Sequence, residues 1–207
     1  MIDENRLKQQ MDFCREIDKE KEVFRQTFLC SGSRRENDAE HAWHMALMAV
    51  VLQEYANEDI DLLKVIKMLL IHDIVEIDAG DTYAYDVEGL KSQKERETKA
   101  ADRIFGILPE DQAAEMHQLF HEFESEETPE ARFAKALDNV QPVMQNDASE
   151  GKDWREKGIQ LSQAIKRQKK TAKGSEILWE HVSKPMLRRN IEMGNIIGDT
   201  DLEEISS

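Results

Sequence analysis

Apolar side chains recur along this chain at the i, i+3, i+4, i+7 spacing that marks one face of a helix. Leu7, Met11, Phe13, Ile17, Phe24 and Phe28 predict a first helix from Asp3 to about Phe28, broken by Cys30-Ser31-Gly32-Ser33. Asn37 or Asp38 can cap a second helix, running to about Tyr55 on Ala42, Met45, Ala46, Ala49 and Val50. Met48, Val51 and Leu52 widen that stripe, so this helix is expected to be central and buried on much of its circumference. Asp61 can cap a third, carrying Leu62, Val65, Ile66, Leu69 and Leu70 and ending before Gly80. Asp78 to Asp86 then reads as a loop. Further helices are expected over about 88–106, 109–124, 128–147, 153–170 and 175–196, with Pro109 in a first turn. There is no internal repeat, and the acidic segment 198–207 is expected to be a mobile tail.

Composition agrees with this pattern. Nine glycines and four prolines in 207 residues leave little to interrupt helices, so the predicted fold class is all-α. The length suits one compact domain over 1–197. A formal charge of -15 opposes a nucleic-acid polymer, whose phosphates need a basic surface. A small phosphorylated substrate stays compatible, because one or two arginines can hold one phosphate group. Cys14 and Cys30 are too few for a disulfide framework and point to reduced thiols in the cytoplasm. The longest apolar run, Met45 to Leu52, is less than half of the roughly 20 residues a bilayer requires, so no membrane partner is expected.

Several polar residues violate the pattern. Asp73 lies four residues after Leu69 and seven after Ile66, on the stripe meant for the core, and Glu76 continues the line. A carboxylate there loses hydration worth several kcal/mol unless something positive meets it. His72 is turned about 100° from Asp73 on an ideal helix and approaches the same point from the flank. His41 opens the stripe of the second helix, and Asp138 stands at the edge of an apolar face formed by Phe133, Ala136, Leu137, Val140 and Met144. Pro142 removes the hydrogen bond to the Asp138 carbonyl and bends the helix there. Two imidazoles and two carboxylates from three helices suit one divalent transition ion, Mn, Fe, Co, Ni or Zn, better than Ca or Mg.

The order His41, His72-Asp73, Asp138 resembles the H...HD...D signature of the HD superfamily of metal-dependent phosphohydrolases. SRRENDAEHAWHMALMA (Ser33 to Ala49) and LLKVIKMLLIHDIVEIDAGDTYAYD (Leu62 to Asp86) are similar to the branch of the 5'-deoxynucleotidases. The resemblance implies a multi-helix HD-domain bundle holding metal through His41, His72, Asp73 and Asp138. It assigns Glu76 to the proton of the attacking water, and Asp81 to the substrate pocket, in contact with the sugar or the water. Arg34 matches an arginine of the family, so Arg34 or Arg35 is expected to hold the substrate phosphate; Arg25, also a substrate-binding candidate, lies near a second basic position without the neighbouring tryptophan. It further implies a nucleotide substrate, most simply a nucleoside monophosphate, and a homodimer. The alternatives are a pyrophosphorylated or cyclic signalling nucleotide, or an inactive metal-binding scaffold.

Other features take plainer readings. His44 reads as pocket lining or packing, and His117 with His121 as part of a solvated amphipathic helix. The run Lys166 to Lys170, KRQKK, reads as a solvated helix face.

Overall fold

The computed structural model describes residues 2–200. Helix α1 (Glu4–Glu16) is capped by Asp3, whose side chain accepts from the backbone of Asn5 and Arg6. It ends in a 3-10 turn over Ile17–Glu22, and the chain then becomes strand β1 (Phe24–Phe28). The single long helix expected to Phe28 is therefore corrected. Val23, Phe24, Thr27 and Phe28 are β-branched or aromatic, and their four-residue spacing serves an antiparallel pairing with β2 (Arg35–Asn37). Phe24 faces Asn37 and Phe28 faces Arg35, so the longer strand bulges between them.

Asn37 closes a capping box with Glu40 at the start of α2 (Asp38–Leu52). Asp61 caps α3 (Leu62–Ile71), which stops earlier than its pattern predicts. Bonds from Ile74 to Ile71 and from Glu76 to Asp73 tighten the chain into i to i+3 turns before the short α4 (Glu76–Ala79), and Gly80 turns out of it at φ 74°. Next come α5 (Val87–Phe105), α6 (Glu110–Ser125) and α7 (Pro129–Ala148), close to their expected ranges, with Pro109 capping α6 from just outside its first turn. The expected helix over 153–170 is divided at Gly158, in the left-handed region, into α8 (Lys152–Lys157) and α9 (Leu161–Gln168). The last segment keeps its helical course as α10 (Glu176–Leu178), a wide π turn over Trp179–Ser183 and α11 (Lys184–Glu192). Pro185, lacking the N–H that would reach His181, follows that wide turn. Asp199 accepts hydrogen bonds from Ser162, and 201–207 of the expected tail lie outside the described residues.

Two apolar clusters organise these elements. The larger joins α2, α3, α5, α6 and α7 through residues such as Met45, Met68, Ile104, Phe123 and Phe133. The smaller gathers Trp154, Leu161, Ile165, Trp179 and Leu187 against Val143 of α7. Helix α7 contributes to both, and a cavity opens beside it, lined from β1, the α3–α4 turn, the loop after Gly80 and α9. None of the described helices is long and apolar enough to cross a membrane.

Candidate functional site

Four of the residues singled out in the sequence meet at the inner end of this cavity. His41 is fully buried in the first turns of α2, and its Nε2 lies 3.3 Å from Asp138 Oδ1 and 3.9 Å from Asp73 Oδ2. His72 Nε2 lies 3.0 Å from Asp73 Oδ2 and 4.0 Å from Asp138 Oδ1. One donor atom each from His41, His72 and Asp73 falls within 4.8 Å of the others. Adjacent residues of an ideal helix diverge by about 100°. His72 and Asp73 reach a common point because α3 has already given way to the tighter turn.

The hydrogen bonds behind these rings fix which nitrogen carries the proton. His72 Nδ1 donates to the carbonyl of Leu69 at 3.0 Å, so in the neutral ring the lone pair is on Nε2. That Nε2 has no hydrogen-bond partner, although Asp73 Oδ2 is 3.0 Å away, because the angle is wrong for one. For His41, Nδ1 faces Gln141 Oε1 at 3.0 Å. The Gln141 amide can point only one way, since its Nε2 donates to both oxygens of Glu36, at 2.8 and 3.1 Å, and to His44 Nδ1. His41 thus donates from Nδ1 and turns Nε2 to the carboxylates, donating to Asp138 Oδ1 at 3.3 Å when protonated and presenting a lone pair when neutral. With both rings neutral, two imidazole nitrogens and two carboxylates converge on one point, a mixed nitrogen and oxygen donor set that fits a divalent ion in place of the proton between His41 and Asp138.

A model of the HD domain family matches residues 17–179. The chain belongs to the HD domain family. At 46% identity the HD-domain chain is similar to a predicted metal-dependent phosphohydrolase from Magnetospirillum magnetotacticum MS-1, whose crystal structure covers 95% of this chain and 98% of its own with a TM-score of 0.90. Among curated proteins it is 33% identical over 125 residues to 5'-deoxynucleotidase HDDC2 of Homo sapiens, and 32% identical over 123 residues to that of Bos taurus. These matches cover 60% and 59% of this chain, and the chain spans 58% and 57% of those relatives.

Around the HD centre, charge is arranged tightly. Arg25, projecting from β1, donates to Asp73 Oδ2 at 2.7 Å and to Asp38 Oδ1 at 3.3 Å. Burial works against charge on Asp73, but His72, Arg25 and His41 hold its carboxyl below the ordinary range. For Asp138, the hydrogen bond from His41 and the charges of His72, Arg167 and Lys135 likewise outweigh burial. Glu76 behaves in the opposite sense. Burial, then the neighbouring Asp73 and Asp38, raises its carboxyl well above the usual carboxylate range, and its Oε2 has no partner. Asp38 is pushed up to about 7 by burial and by Asp73. Asp81 lines the cavity and is raised by burial, with Arg25 opposing.

Arg34 is not brought to this cavity. It pairs with both oxygens of Glu40 at 2.6 and 2.8 Å on the surface, beside the capping box that Glu40 closes with Asn37. His44 supports Gln141 from behind, and His117 with His121 stack on α6 away from the centre. Gln141 and Arg96 carry no signature in the sequence, and Glu36, inside the Ser33 to Ala49 stretch, is not marked there as the partner of Gln141. Arg96 of α5 ties the loop after α4, reaching the Ala79 carbonyl and Thr82 Oγ1.

Proposed function

We propose that the chain is a phosphohydrolase releasing phosphate from nucleoside 5'-monophosphates, deoxynucleotides first, with one divalent transition-metal ion held by His41, His72, Asp73 and Asp138. The observation that carries this reading is the convergence of the His41 and His72 Nε2 atoms on the carboxylates of Asp73 and Asp138, three of these residues lining a cavity. The curated relatives named 5'-deoxynucleotidases support the substrate class. When bound, such an ion supplies Lewis acidity, making water a better nucleophile near neutral pH and drawing charge from a phosphoryl oxygen.

The chain's own groups do the rest. Glu76, one turn beyond Asp73, holds a proton more firmly than an ordinary carboxylate and can pass it between the attacking water and the leaving oxygen. Arg25 places a guanidinium beside the phosphoryl position while keeping Asp73 ionised. Asp81 lines the same cavity from the loop after Gly80, where it can accept from a sugar hydroxyl. A homodimer and a cytoplasmic setting belong to this reading. Trp43, Leu47, Val50 and Val51 form an exposed apolar stripe on α2, and Cys14 and Cys30 are both free and exposed.

A phosphate-release screen over nucleoside mono-, di- and triphosphates, with Mn, Co, Mg and chelator, tests the activity. Release confined to monophosphates and abolished by chelator is expected. Turnover only of pyrophosphorylated or cyclic nucleotides would replace this reading. Glu76→Gln is expected to keep its metal and lose about 10²–10⁴-fold in kcat. A metal-loaded Glu76→Gln protein of full activity would remove Glu76 from the mechanism.

A further inference from the structure

Helix α9 packs through Leu161, Ala164 and Ile165, and Gln168 is buried with its Nε2 donating to the Asn139 carbonyl of α7 at 3.1 Å. Lys166, Lys169 and Lys170 of the basic run are exposed, as a solvated helix face requires. Arg167 departs from that reading. Three residues after Ala164 and one before Gln168, it sits at the edge of the packed face, half-buried, and lines the same cavity as His72, Asp73 and Asp138.

Three lysine and arginine side chains line this cavity, and two are already committed. Arg25 is held by Asp73 and Asp38. Lys135 donates to Glu124 at 2.8 Å and lies over the Phe123 ring at 3.9 Å. Arg167 has no hydrogen bond, ion pair or ring partner among the described residues, in a chain where 43 acidic residues outnumber 28 basic ones. A planar guanidinium with its donors free inside a cavity, and a second cation on the neighbouring helix, is an arrangement completed by an anion with several acceptor oxygens. A phosphoryl group fits that description; a neutral ligand leaves the fork unused.

We infer that Arg167 is a substrate-anchoring residue that binds the non-bridging oxygens of the substrate phosphate. The inference rests on the phosphohydrolase reading above and adds to it a phosphate contact from a helix that carried no functional residue in the sequence. It also gives the role expected of Arg34 to an arginine from the other end of the chain.

The test compares the metal-loaded full-length protein with Arg167→Ala, Arg167→Lys and Lys166→Ala. For each, KM and kcat for the best nucleoside monophosphate, inhibition by inorganic phosphate, metal affinity and melting temperature are measured. In Arg167→Ala, KM and the phosphate inhibition constant are expected to rise about ten- to a hundredfold, the range of a charge-assisted hydrogen bond. Metal affinity and melting are expected to stay at wild type, and Arg167→Lys to fall between the two. Lys166→Ala, which removes one charge from the exposed side of the same helix, is expected to change nothing. Equal losses in Lys166→Ala and Arg167→Ala would mean a general field and overturn the inference. So would unchanged phosphate inhibition in Arg167→Ala, or a loss of metal rather than of phosphate. Should Arg167→Ala not fold, the Arg167→Lys protein carries the same comparison, since it keeps the charge and loses the fork. Should wild type release phosphate from no monophosphate, the activity reading falls, and calorimetric titration of wild type and Arg167→Ala with inorganic phosphate still decides the role of Arg167.

Discussion

Each imidazole at the centre is aimed by a partner on its far side, and for His41 that partner is Gln141, itself oriented by Glu36. Removing the amide oxygen leaves Nδ1 of a buried ring without an acceptor and frees the tautomer. Gln141→Leu is therefore expected to weaken metal binding about 10–100-fold with the four proposed ligands intact, measurable by competition with a chromophoric chelator. Asp153 offers a second case. Burial pushes its carboxyl up to about 6 although Tyr83 donates to it at 2.9 Å, and its Oδ1 is without a partner. Because the folded value lies above the ordinary one, the protonated form favours folding; that stability is present at low pH and is lost as pH rises through about 6. Asp153→Asn, which cannot ionise, should melt higher than wild type at pH 8, by on the order of 2 kcal/mol, with the gap narrowing as pH falls below about 6 and closing below the ordinary carboxylate pKa of about 4. A gap that is constant with pH would locate the effect elsewhere. At this scale the sequence disclosed His41, His72, Asp73 and Asp138 as polar breaks in apolar stripes. It did not disclose the pairing of Glu36 with Gln141, which are 105 residues apart and meet only in the folded chain.

Helices with regular stripes and clear caps, α2, α5, α6 and α7, were legible almost to the residue. Their apolar period and their cap residues point to the same boundaries. The elements that differ are those where another contact overrides local spacing. Phe24 and Phe28 have helical spacing, yet β2 offers hydrogen bonds that recruit them into a strand, and this is what carries Arg25 to Asp73. The basic run on α9 hides one inward residue among exposed lysines. Close approach between elements also dictates residue choice. A Cβ on Gly174 would lie 2.1 Å from the Arg132 carbonyl oxygen and 2.8 Å from Phe133 Cα, so the turn before α10 sits directly on the α7 backbone. Gly174→Ala must force that backbone apart, and a loss of about 1–3 kcal/mol in urea unfolding is expected. Wild-type stability in that variant would show that the turn moves without disturbing α7.

On the scale of the molecule, the exposed stripe on α2 is large for an isolated surface: Trp43 is 61% exposed and Val51 69%. In the homodimer proposed above, a second copy would cover this face. Leu47→Glu with Val51→Glu is then expected to yield a monomer in sedimentation equilibrium where wild type is a dimer. A monomeric wild type at micromolar concentration would remove the dimer from the reading. By itself, the sequence determined the helical class, the caps, the four candidate ligands and the acidic net charge. Each of these is set by residues near one another in the chain or by simple sums over it. Only the tertiary structure decided that His72 and Asp73 share a point, that Arg34 is spent on Glu40 and that Arg167 turns inward. Those outcomes depend on which distant groups compete for the same hydrogen bond or charge, and that competition exists only once the chain has packed.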